Sequence, residues 1–157
     1  MSAPHQMSAP HHRLDARPET ADDDPQLATL GTTRVVAIVP DATVDLAARL
    51  MASTGVRHLP VMDGPRCVGV VMEADVLRVL AEAGGATVPV GALAWAVPAL
   101  RPTERRSAAA RQMSTAGVDA ALIVEDGRLL GIVTATDVVR SVALAGSDRR
   151  PGEKATP

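Results

Sequence analysis

Gly131-Ile132-Val133-Thr134-Ala135-Thr136-Asp137 joins an apolar strand to the first turn of a helix, and that turn carries a hydroxyl and a carboxylate. The stretch has two readings. In the first it is a nucleotide site: a helix N-terminus offers unpaired backbone NH groups and partial positive charge to a phosphate, Thr134 adds a hydroxyl, and Asp137 accepts from two ribose hydroxyls. In the second it is a capping box, with Thr134 capping the helix and Asp137 reaching back to the Thr134 NH. Taken alone, the spacing favours the cap, because [ST]-x-x-[DE] is common at helix starts.

Working outward, a copy of the stretch lies 62 residues earlier, at Gly69-Val70-Val71-Met72-Glu73-Ala74-Asp75. The same offset carries Pro40 to Pro102, Arg49 to Arg111, Met51 to Met113, Gly55 to Gly117 and Arg78 to Arg140 without a gap. Over 40–78 against 102–140, 13 of 39 positions are identical, which makes the chain a duplication with one fold used twice. Asp75 persists where Met72 has replaced the hydroxyl, so the acid is kept where a capping box cannot form. That comparison shifts the reading of both carboxylates toward a site.

Each copy reads as strand, helix, strand, strand, helix. Val35-Val36-Ala37-Ile38-Val39 is an apolar run closed by Pro40-Asp41, and reads as a buried strand. A helix follows from Thr43, with Val44, Ala47, Ala48 and Met51 on one face, and Gly55 ends it. Strands at His58 to Met62 and Cys67 to Met72 flank the turn Asp63-Gly64-Pro65. A second helix starts near Glu73, presents Val76, Val79, Leu80 and Ala83 inward, and stops at Gly84-Gly85. The pattern predicts an α/β (α+β type) chain: a module at 27–88, a second at 89–147, and Trp95 packed at the seam between them.

Composition removes several function classes. The chain has no Phe or Tyr and one Trp, so aromatic platforms for stacking single-stranded bases are missing. The net charge of −2 opposes a nucleic-acid partner as well. Cys67 is the single cysteine, has no metal-ligand neighbour, and reads as a buried inert thiol in a reducing compartment. No run approaches a membrane span and the start lacks an apolar signal core, so the reading is a soluble cytoplasmic chain. Residues 1–26, with four prolines and Asp22-Asp23-Asp24, and residues 148–157 read as disordered tails. His5, His11 and His12 have no folded scaffold to fix a metal ion, and no metal site is expected.

Gly55-Val56-Arg57-His58-Leu59-Pro60-Val61-Met62-Asp63, Gly69-Val70-Val71 and Asp75-Val76-Leu77, with their counterparts from Gly117 to Asp126 and from Gly131 to Val139, resemble the cystathionine beta-synthase (CBS) domain. The resemblance covers about residues 27–147. It implies a tandem pair, or Bateman module, joined through its sheets with pseudo-two-fold symmetry and enclosing two clefts. Members of that family commonly bind AMP, ADP, ATP or S-adenosylmethionine, often dimerise, and act by changing shape. The implied ligand motif of Gly, two apolar residues, Thr or Ser, two residues and Asp falls on Gly131, Thr134 and Asp137.

The first copy departs from that motif. Met72 has no hydroxyl and Glu73 repels phosphate, although a nucleoside end could still reach Asp75. The resemblance further implies that a basic residue of one repeat approaches the phosphate of the other repeat's motif. Arg57 and His58 would then join Thr134 and Asp137, and Asp119 would join Asp75, giving one cationic and one acidic cleft. The alternative leaves Arg57 and His58 as surface residues where a strand begins. Ala37 and Ala99, on the first strands, are expected to face the base. Arg101, Arg105, Arg106 and Arg111 read as a solvated helix face, with a docking patch for an acidic partner as the other reading.

These residues predict a stand-alone regulatory CBS pair that binds an adenine nucleotide as a regulatory ligand, without a catalytic cofactor, acting as a homodimer on an unidentified regulated protein. The alternative is a structural dimerisation module with no ligand. An enzyme comes last, since the sequence shows no nucleophile-base pair, metal cluster or Gly-rich phosphate loop.

Overall fold

The structure, a computed structural model, describes residues 24–147. Of the two expected tails, 1–23 and 148–157 lie outside the described residues. The first half holds helix α2 (Val44–Thr54), strands β1 (His58–Asp63) and β2 (Arg66–Met72) and helix α3 (Glu73–Leu80), preceded by a one-turn helix α1 (Leu27–Leu30). The second half holds β3 (Ala99–Leu100), α4 (Arg106–Ala116), β4 (Ala120–Glu125), β5 (Arg128–Thr134) and α5 (Ala135–Ser147). The element order thus recurs, as the offset of 62 requires.

Matching positions do matching work. Strands β1 and β2 pair antiparallel, as do β4 and β5, and each ladder shifts register at the same place, between Val61 and Met62 and between Ile123 and Val124. Helix α2 is capped by Thr43, whose side chain accepts from the Leu46 NH, and Gly55 closes it. Its apolar stripe, Val44, Ala47 and Met51, is buried against Leu59, Val61, Val71 and Val76. The equivalent core of the second half contains Leu100, Ala109, Met113, Ala121, Ile123 and Val133.

A third cluster joins the halves. Val70, Ala120, Leu122 and Ile132 are buried together, so β2 of one half meets β4 and β5 of the other. Val70 and Ile132 are the same position in the two copies, and their meeting expresses the pseudo-two-fold relation.

Several sequence expectations need correction. The expected strand Val35–Val39 makes a single parallel bridge, from Ile38 to Val61, and among its residues only Ile38 is buried. The run borders the sheet for one residue before Pro40 turns it away, so its apolar side chains do not imply a ladder. Helix α3 stops at Leu80, and Ala83 lies beyond it in an exposed turn. The exposed turn also means that Ala83 is not on the inward face assigned to it.

Two segments pack across the expected boundary at 88/89. Leu27 is fully buried in the core of the second half, while Val90 is fully buried in that of the first. Residues 24–26, expected in the tail, are held on α4: the Arg106 NH donates to the Pro25 carbonyl, and Gln26 bridges Arg105. Among the described residues, no helix is long and apolar enough to cross a membrane.

Candidate functional site

Gly131 places the segment before Ile38 against β5. Thr32 and Ile132 exchange main-chain hydrogen bonds of 2.9 and 3.2 Å, and a Cβ on Gly131 would stand 2.8 Å from the Thr32 carbonyl oxygen. No side chain fits there, so the motif glycine is required by a close backbone approach. The chain from Thr32 to Val36 is thereby laid along the mouth of a cleft whose other walls are the start of β1 and the β5–α5 junction.

That cleft, of about 440 Å³, is lined by Thr32, Arg34, Val35, Val36, Gly55, Val56, Arg57, His58, Pro60, Ile132, Thr134, Thr136, Asp137 and Arg140. Arg57 and His58 of the first half therefore share one cavity with Thr134 and Asp137 of the second, although 76 to 80 residues separate them in the chain. Four basic side chains, Arg34, Arg57, His58 and Arg140, border it against one lining carboxylate, Asp137. Arg34, Arg140, Thr32 and Thr136 were not singled out from the sequence. Arg140 carried a signal, since it follows Asp137 at i+3 on the same helix face and is repeated at Arg78. Arg34 carried none.

Thr134 and Asp137 form the capping box in full. The Asp137 Oδ2 accepts from the Thr134 NH and from Thr134 Oγ1, both at 2.9 Å, while the Asp137 NH donates to Thr134 Oγ1 at 3.3 Å. Only Oδ2 is used in the cap. The Asp137 Oδ1 stands 3.8 Å from Arg140 Nη1, and its side chain keeps 18% of its surface exposed. One carboxylate thus fixes the helix end through one oxygen and offers the other to the cleft.

The remaining expected residues fall differently. Arg57 reaches Glu73 of its own half at 3.6 Å. His58 Nε2 lies 2.9 Å from Asp119 Oδ1, so Asp119 is joined to the basic pair of the Thr134 cleft rather than to Asp75. The reason is the pseudo-two-fold: β1 and β4 begin side by side near the seam, which brings their first residues together. Asp75 is not in the Thr134 cleft; its Oδ2 accepts from Trp95 Nε1 at 2.7 Å, and Arg78 lies 3.6 Å from its Oδ1. Trp95 reaches the seam through its main chain, bridging Val70, but its indole is half exposed rather than packed there.

Ala37 and Ala99 are exposed and do not line the cleft; strand alternation turns Ala37 away when Ile38 faces the core. Residues 34–36 line the cleft from the first segment instead. Cys67 is only half-buried, and burial pushes its thiol up while its Sγ donates to the Gly69 carbonyl. Among the described residues, no three His, Cys, Asp or Glu side chains gather as a metal site would need.

The CBS domain family matches residues 27–82 and 93–144. The chain belongs to the CBS domain family, as a tandem pair. The chain is 34% identical over 113 residues to inosine-5'-monophosphate dehydrogenase of Korarchaeum cryptofilum; the match covers 66% of this chain and 21% of that enzyme's length. Among solved structures, CBSX2 in complex with AMP is similar at 27% identity and a TM-score of 0.66, over 77% of this chain and 98% of that one. The CBS domain of a bacterial CNNM/CorC family Mg2+ transporter in complex with ATP gives 21% and 0.67, over 75% and 87%. A hemolysin-like protein of Oenococcus oeni containing a CBS domain gives 17% and 0.69, over 76% and 91%.

Proposed function

We propose that this CBS pair is a regulatory module that binds an adenine nucleotide in the Thr134 cleft and signals by a change of conformation or dimer geometry. The observation that carries the reading is the single cavity holding Arg57 and His58 from one repeat and Thr134 and Asp137 from the other. Its size suits a small ligand, for which pockets run from about 300 to 1,000 Å³. In this reading the Asp137 Oδ1, which the cap does not use, accepts a ribose hydroxyl, the start of α5 and the surrounding arginines receive phosphate, and Val35, Val36 and Ile132 contact the base. AMP and ATP in the CBSX2 and CNNM/CorC complexes support the ligand class.

The sequence repeats 27–88 and 89–147 are the two modules of this proposal, and a homodimer is its working unit. Exposed Leu77 and Val139, which are the same position on α3 and α5, give both repeats an apolar helix face for such pairing. A ligand can regulate a partner protein only through different affinities for the two states.

Calorimetry with AMP, ADP, ATP and S-adenosylmethionine tests the site. Asp137→Ala is expected to weaken binding at least tenfold, and Arg57→Ala to weaken the phosphorylated ligands more than adenosine. Binding left unchanged by Asp137→Ala would sink the assignment. The self-satisfied Thr134–Asp137 cap favours one other reading, a structural dimerisation module whose clefts stay empty. That reading expects no ligand response and a stability that rises with protein concentration.

A further inference from the structure

The two copies treat their acidic residue differently: Asp137 is bonded to Thr134 of its own turn, Asp75 to the indole of Trp95. On β5, the Ile132 position exchanges main-chain hydrogen bonds with Thr32. On β2, the equivalent Val70 exchanges them with Trp95, at 2.9 Å in both directions. Gly69 repeats the role of Gly131, since a Cβ there would lie 2.8 Å from the Trp95 carbonyl oxygen. Thr32 and Trp95 therefore occupy the same main-chain place in the two repeats.

Their side chains do opposite things. Thr32 is small and lines the open Thr134 cleft. Trp95 extends over α3 and donates its indole NH to Asp75 Oδ2 at 2.7 Å, a bond to a charged acceptor and so among the stronger neutral-donor bonds. Arg78 attends the other oxygen at 3.6 Å. With 51% of its surface exposed, the indole lies on the surface beside Asp75 rather than inside a core. Helix α3 also lacks a side-chain cap at Met72, so Asp75, unlike Asp137, is not held in a capping box.

We infer that Trp95 is a built-in lid, its indole occupying Asp75 in place of a nucleoside, so that the chain takes ligand at the Thr134 cleft alone. The indole NH supplies the donor that a ribose hydroxyl would bring, and the ring covers the space beside it. Removing the ring frees Asp75 for an uncharged nucleoside. Glu73, in the first turn of α3, keeps phosphate away from that position.

The test compares adenosine stoichiometry, by calorimetry, in the unaltered chain and in Trp95→Thr, which installs the residue of the equivalent position. The Val70 hydrogen bonds are main-chain and survive the exchange. One additional adenosine per chain is the expected gain, whether the unaltered chain binds one or none, so this outcome is separable from the occupancy of the Thr134 cleft. No gain overturns the inference. A loss of one site overturns it too, because Trp95 would then be a stacking platform.

An independent reading uses the unaltered chain, whose single Trp gives one indole NH resonance. Saturating AMP should leave that proton slow to exchange with solvent. Its release to fast exchange would show a nucleotide displacing the indole from Asp75, and would overturn the lid.

Discussion

Gly131 and Gly69 illustrate how a single residue fixes the site. Each admits a carbonyl oxygen of another segment, Thr32 for Gly131 and Trp95 for Gly69, to within 2.8 Å of where a Cβ would stand, and the obstacle is backbone that cannot rotate aside. Gly131→Ala should therefore push Thr32 off β5, destabilising the fold by about 1–3 kcal/mol, as overpacking of a close contact does. Chemical denaturation checks the stability, and on the proposed function AMP binding should weaken in parallel, since Thr32 to Val36 form the cleft wall. An unchanged midpoint would mean that the segment adjusts freely. Cys67 gives a second outcome at this scale. Burial raises its thiol above the usual range, so little thiolate is present at neutral pH, and alkylation should run slower than for a free thiol until the chain is unfolded. In the sequence, the glycines were visible as part of a repeated motif. Their reason was not, because the clashing carbonyls belong to residues far away in the chain.

Helix α4 shows the same limit for an element. The side chain of its own N-cap residue, Arg105, does not cap the helix; it donates to the Asp24 carbonyl instead, so no local residue gives α4 a cap. Asp24 provides it from 83 residues away: Oδ1 accepts from the Ser107 NH at 2.7 Å and Oδ2 from the Ser107 hydroxyl at 2.6 Å. Burial pushes the Asp24 carboxyl upward, but the Ser107 hydrogen bonds and the charges of Arg106 and Arg105 outweigh it and hold the group below the usual carboxylate range. Asp24→Ala should destabilise the chain by about 0.5–2 kcal/mol, as loss of an N-cap does. The pH sign follows from the lowered value. The contribution is present above the unfolded carboxyl, about 3.9, and is lost as pH falls through the lower folded value. The melting difference between the unaltered chain and Asp24→Ala should thus be largest near neutrality and shrink in acid. A difference that grows below about pH 4 would contradict this assignment. Helix α2, by contrast, was legible almost to the residue, because Thr43, its apolar stripe and Gly55 are all local signals.

The whole molecule was legible as symmetry and illegible as asymmetry. Thirteen identities at a constant offset announce two copies of one unit, and apolar Val70 and Ile132 at matching positions meet across the seam. What distinguishes the copies, the pairing of His58 with Asp119 and of Trp95 with Asp75, arises only when distant segments are brought together. The Thr134 cleft takes one wall from each half, so a nucleotide bound there must hold both halves in a single relation. At about 100 times its dissociation constant such a ligand stabilises the folded chain by about 2.7 kcal/mol. Hydrogen exchange should locate that gain: on the proposed function, AMP is expected to slow exchange both at Val56 to Pro60 in the first half and at Thr134 to Arg140 in the second. Slowing confined to the β5–α5 junction would mean that the ligand rests on one repeat and leaves the other unaffected. In that case binding could not report on the relation between the halves, and a signalling role would lose its physical basis.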